Sequence, residues 1–167
     1  MMPQEQRSNS EVDRIRDQFR RAFEGEAWHG PSVLALLEGV TAEQAAAHPV
    51  PGAHSIWELT LHIAAWERAC LRRLHNDPAQ LSDAEDWEPI NDTSDAAWET
   101  TKQQLIDNHR ELLQAIASVD DARLNDSIYV DPNIPFSSIY VTLHGVVQHD
   151  LYHAGQIAML KKALENL

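Results

Sequence analysis

A single cysteine, Cys70, stands in a chain of 167 residues. It has no partner for an internal disulfide and offers one thiolate where a structural zinc cage needs several, so a reducing, cytoplasmic compartment is the expectation. Glycine, with six residues, and proline, with eight, are scarce beside abundant Ala, Leu, Glu and Gln, a mix that favours helices over a sandwich or barrel. No run of about 18 apolar residues occurs, which excludes a membrane-spanning helix. The opening "MMPQEQRSNSEV" lacks the apolar core of a secretory signal. Positive charge is also thin: 13 Lys and Arg stand against 26 Asp and Glu, a net charge of −13 with histidines neutral. Phosphate backbones repel such a surface. Arg14, Arg16, Arg20 and Arg21, and again Arg68, Arg72 and Arg73, are balanced by neighbouring acids and read as solvated helix faces. Neither nucleic acid nor a membrane is expected as a partner.

The length suits one domain that buries its own core, with residues 1–9 as a disordered polar tail and 10–167 as the domain. A first helix is predicted from Ser10, with Val12, Ile15, Phe19, Ala22 and Phe23 at helical spacing. "EGEAWHGPS" breaks it, "SVLALLEGV" resumes it, and "TAEQ" at 41–44 has the form of a capping box. "SIWE" at 55–58 is a second capping box and opens a long helix to about His75. An acidic loop follows. A third helix runs from Ser94 to Val119 with Trp98, Leu105, Leu112, Ile116 and Val119 on one face. "SIYV" at 127–130 reads as a short strand or extended chain. Ser137 or Ser138 caps a last helix to about Leu164, with Phe136 as a hydrophobic staple. Four substantial helices with medium loops imply an all-α four-helix bundle.

Nine histidines are the unusual content. In the last helix Thr142, Val146, His149, His153, Gln156 and Leu160 follow alternating steps of four and three, the pattern of an inward seam. His149 and His153 lie about 6 Å apart along the axis and some 40° around it, close enough for one metal ion. On the second helix Ser55, Leu59, His62, Trp66 and Ala69 place His62 among apolar neighbours. Alone, each is as easily a core histidine bonded to a backbone carbonyl. On facing seams the three form a facial site with an open position, the arrangement of a catalytic rather than a structural metal. His109 lies between Leu105 and Leu112 as a bystander, an outer partner or a fourth ligand. Gln156 stands to orient a ligand or to be a buried amide, Asp150 to orient a ligand on another helix, and Trp57 and Trp66 to line a pocket or pack the core. Gly155 is expected to let a neighbouring helix approach. His54 precedes a helix where a site rim would lie, His144 points about 140° away from His149, and His29, His48 and His75 are expected in solvent. "HDLYH" is no zincin motif, since no histidine follows His153, and the lone E-x-x-H, Glu26 to His29, sits in the predicted break and rules out a di-iron bundle.

"PGAHSIWELTLHIAAWERACLRRL" (51–74) and "HGVVQHDLYHAGQIAMLKKAL" (144–164) strongly resemble the DinB-like/YfiT-like superfamily of proposed metalloenzymes. The separated histidine followed by H-x-x-x-H-x-G-Q is the most specific part. The resemblance implies a four-helix bundle, often a homodimer, with His62, His149 and His153 holding a divalent metal such as zinc or nickel. It also implies chemistry like that of bacillithiol S-transferases and mycothiol-dependent maleylpyruvate isomerase, in which the metal activates a low-molecular-weight thiol. Thiol transfer is therefore the expected reaction, with metal-assisted hydrolysis second. A non-catalytic metal-binding or dimerisation domain is the contrasting reading.

Overall fold

A computed structural model describes residues 10–77, 80–128 and 138–165, and among them the chain is all helix and loop. Seven α-helices run in order: α1 (Glu11–Glu24), α2 (Val33–Leu37), α3 (Ala42–Ala46), α4 (Ile56–Leu74), α5 (Asp83–Asp86), α6 (Asp95–Ala117) and α7 (Ile139–Leu164). A 3-10 turn, Asp121–Arg123, follows α6.

The starts are written locally. Ser10, Ser32, Ser55, Ser94 and Ser138 each accept a hydrogen bond from a backbone N–H three residues on, supplying a partner that the first turn lacks. The capping boxes Thr41/Gln44 and Ser55/Glu58 form as expected. A third, Ser82/Glu85, opens the short α5 inside what reads in sequence as an acidic loop. The break after α1 carries Gly25 and Glu26 at positive φ, a bend no helix continues through. Asp121 accepts from the backbone N–H groups of Glu11 and Val12, so the turn after α6 caps the start of α1.

The expected apolar residues of α1 are all buried, and α6 buries Trp98, Thr101, Leu105, His109, Leu112 and Ile116. Both α1 and α4 pack on both α6 and α7, so the four long helices close into a ring. Its interior holds two apolar clusters. One gathers around Trp57, Ile63, Leu105 and Ile157, the other around Phe19, Leu112, Ile116 and Leu143. Trp57 is core: its ring is 2% exposed and its Nε1 donates to Thr101 Oγ1 at 3.0 Å. No helix among the described residues is long and apolar enough to cross a membrane.

Two expectations need correction. The buried seam of α7 is Leu143, Val146, Asp150, His153, Ala154, Ile157 and Leu160, rotated by about one residue from the stripe read in sequence. Both registers obey three-and-four steps, and the larger apolar residues Leu143 and Ile157 prevail over Thr142 and Gln156. Asp150 is thereby carried into the core at 0% exposure, while His149 sits at its edge. Gly155 faces outward, and a Cβ built there would meet nothing within 4 Å, so no neighbouring helix among the described residues requires it. Ser127 of the "SIYV" segment makes an isolated antiparallel bridge to Ser138, while Tyr129, Val130 and the Phe136 staple lie outside the described residues.

Candidate metal centre

α4 and α7 pack together and bring His62 against His149 and His153. One ring nitrogen from each of the three lies within 4.8 Å of the other two. The Nε2 atoms of His62 and His149 are 3.1 Å apart. Two neutral imidazoles that close satisfy each other with one shared proton or by sharing a cation.

The other ring nitrogens explain which edge faces inward. His62 Nδ1 lies 2.9 Å from the backbone carbonyl oxygen of Asp86 and 3.1 Å from its Oδ1. That oxygen also accepts from Trp66 Nε1 at 2.7 Å. His153 Nδ1 lies 3.0 Å from Gln156 Oε1. As N–H donors to these oxygens, both rings present unprotonated Nε2 atoms, the form that ligates metal. His149 Nδ1 has no hydrogen-bond partner among the described residues, and its nearest acid, Asp150 Oδ1, is 3.9 Å away.

Burial holds all three rings neutral. It lowers His62 below the ordinary value of 6.5, helped by the neighbouring His149, although the Asp86 carbonyl works the other way. His149 and His153 are both pushed down to about 4, chiefly by loss of water. Three neutral imidazoles, each with a ring nitrogen within 4.8 Å of the others, suit a divalent ion of borderline softness.

The walls are aromatic. Trp87, just beyond α5, is stacked between His54 and His62, with ring centroids 3.6 and 4.0 Å away. Trp66 lies on the other flank, 5.8 Å from His149 and below the Arg73 guanidinium. Beside the centre opens a cleft of about 570 Å³ lined by His54, Leu59, Tyr152, Gln156, Met159 and others. Gln156 and His54 thus touch both the cleft and the surroundings of the imidazoles. The side chain of His149 is 24% exposed, against 8% for His62, so solvent reaches the centre from its flank.

The sequence-predicted residues fall into two groups. His62, His149, His153, Gln156 and Trp66 come together. His109 and Asp150 do not: they meet Glu67 in a separate buried group, so His109 closes no fourth position and Asp150 supports no ligand on another helix. His54 lines the cleft and stacks on Trp87. His48 is exposed and bonded to Glu58, and His29 and His75 lie in solvent. His144 packs against Tyr140, away from the centre. Sequence reasoning missed Asp86, Trp87 and Glu67. A capping box and a tryptophan inside an acidic loop marked the first two, and nothing local marked the third.

No curated protein and no solved structure matches the chain significantly. A family model described as the DinB superfamily matches residues 27–157, more than half of the chain and all three histidines. The composition of the centre and this match agree with a protein that binds a divalent metal. The chain belongs to the DinB superfamily.

Proposed function

We propose that the protein is a metal-dependent enzyme in which His62, His149 and His153 hold one divalent ion, zinc or nickel. The reaction we assign to it is transfer of a low-molecular-weight thiol to a small electrophile. The observation that carries this reading is the convergence of three neutral imidazoles from two helices, two of them held by their far nitrogens on Asp86 and Gln156. Three protein ligands leave a divalent ion an open position, as in catalytic sites. When bound, the ion supplies the Lewis acidity that keeps a thiol as its nucleophilic thiolate.

The chain's own residues do the rest. Asp86 and Gln156 fix ring orientation, and the stacked Trp87 screens one side of His62 from water. The adjoining cleft offers Leu59, Tyr152 and Met159 to an apolar part of the substrate, and the amide of Gln156 and the ring of His54 to a polar part. Neutral ligands leave the ion's charge uncompensated, which favours an anionic thiolate over a neutral guest. A homodimer belongs to the same reading: Tyr140 and Val141, 41% and 46% exposed near the start of α7 and apart from the cleft, offer an apolar face to a second copy.

The test is metal content of tag-free protein, wild type beside His62→Ala, followed by a screen of the loaded protein. Bacillithiol, mycothiol, glutathione and coenzyme A are each offered with a general electrophile. We expect metal held by the three histidines to be lost in His62→Ala, and conjugation that stops on chelation. An ion bound through His149 that survives His62→Ala would sink the triad. Metal without conjugation of any thiol would replace the transferase with metal-assisted hydrolysis or a non-catalytic binding domain. Sedimentation of the same sample reads the oligomeric state, and a monomer would remove the dimer.

A further inference from the structure

Next to the three imidazoles, a second set of ligating side chains lies wholly inside the helix ring. Glu67 of α4, His109 of α6 and Asp150 of α7 are 0%, 1% and 0% exposed. One ligating atom of each lies within 4.8 Å of the other two. Glu67 Oε1 is 3.0 Å from His109 Nδ1. With both acids ionised, Glu67 Oε2, both carboxylate oxygens of Asp150 and His109 Nε2 have no donor or acceptor partner among the described residues. Phe19 and Phe23 of α1 lie against the His109 ring, with centroids 4.2 and 3.8 Å away, and keep water from that side.

An apolar interior seldom holds two acids and an imidazole for packing alone, because each unsatisfied group keeps its full desolvation cost. We propose that Glu67, His109 and Asp150 form a second divalent-cation site, distinct from the three imidazoles and richer in oxygen. Charge supports this assignment. Two carboxylates and a neutral imidazole cancel the two positive charges of the ion, so the loaded group enters a dry core with no net charge. The donor set differs as well: two oxygens and one nitrogen suit manganese(II) or iron(II), whereas three nitrogens suit zinc or nickel. Three helices each supply one donor, which ties α4, α6 and α7 together at their centre.

Burial and the nearness of the other acid push Glu67 well above the usual carboxylate range, and burial does the same to Asp150. Asp150 Oδ1 is 3.9 Å from His149 Nδ1, so the two sites share a wall.

Elemental analysis of manganese(II)-loaded protein after dialysis tests the proposal, beside electron paramagnetic resonance of the bound ion. It does not depend on the three-histidine reading. His62→Ala combined with His153→Ala disables that centre without touching the second. We expect two ions per wild-type chain when manganese and zinc are both supplied, one in the double variant, and none when Glu67→Gln is added. One ion in wild type that survives the double variant but not Glu67→Gln keeps this proposal and removes the other reading. One ion that disappears in the double variant while Glu67→Gln keeps it overturns this proposal: the buried group then holds only protons. If the double variant does not fold, Glu67→Gln in the wild-type background decides alone. An unchanged count and an unchanged manganese spectrum overturn the proposal; loss of one ion sustains it.

Discussion

Two imidazoles of the centre, His62 and His153, have another atom that fixes which nitrogen they offer. Gln156 performs that task for His153 through a 3.0 Å contact. Replacing it by leucine keeps the volume but removes the acceptor. Metal affinity is then expected to fall about 10–100-fold with the helix content unchanged, measured by competition with a chromophoric chelator. Protonation supplies a second check. His149 and His153 titrate near 4 in the folded chain, whereas the unfolded chain takes up the same protons near 6.5. The folded state therefore binds fewer protons in that interval, and its stability is complete above 6.5 and declines as pH falls toward 4. His109, pushed down to about 3 by burial, extends the decline further. Glu67 and Asp150, held above the usual carboxylate range by burial, work the other way, so the imidazole part is read against a variant. Urea midpoints of metal-free wild type should fall more steeply between pH 6.5 and 4 than those of His149→Gln with His153→Gln, and equal slopes would mean that the rings are not buried as neutral groups.

Helix starts decide where the functional side chains point. In α4 the Ser55 hydroxyl accepts from Glu58 N–H at 3.1 Å, and the Glu58 carboxylate accepts from Ser55 N–H at 2.7 Å. His62 sits two turns beyond this box, so its height in the ring is set there. Ser55→Ala is expected to cost about 1 kcal/mol, read as a lower urea midpoint at unchanged slope. The brief α5 is more directly functional than its length suggests. Its capping box places Asp86 where the backbone carbonyl meets His62 and the carboxylate meets Trp66, and it leaves Trp87 against the His62 ring.

Across the whole chain, a metal held between α4 and α7 is a crosslink between helices that the unfolded state lacks. Ligand bound only to the folded form stabilises it by about 2.7 kcal/mol at a hundred times Kd. For a chain of this size that corresponds to a rise of roughly 5–10 °C in Tm. Thermal scans with and without chelator should show such a rise in wild type and a smaller one in His62→Ala. Equal shifts in the two proteins would mean that His62 is no ligand. The acidic surface, at a net charge of −13, adds attraction for cations at low salt, so the comparison belongs at constant ionic strength.

Much of this protein is decided within a few residues of chain. Serine and threonine caps, apolar spacing in α1 and α6, and the glycine-containing break all act locally and mark the helix boundaries, although the start of α1 gains a second cap from the distant Asp121. The metal-ligating candidates were legible for the same reason: His149 and His153 are one turn apart on one helix, and His62 falls on an apolar stripe of another. Rotation of α7 was not legible. Its two possible stripes differ by one residue, and only packing against α4 and α1 selects the one that buries Asp150. The carbonyl of Asp86 could not be read at all, since a backbone oxygen has no residue signature and its position depends on how a loop folds over α4. Glu67, His109 and Asp150 are far apart in sequence, and each alone resembles a surface or bystander residue. Tertiary structure joined them because three helices close around one axis, and the meeting point of three faces is a property of the packed ring alone.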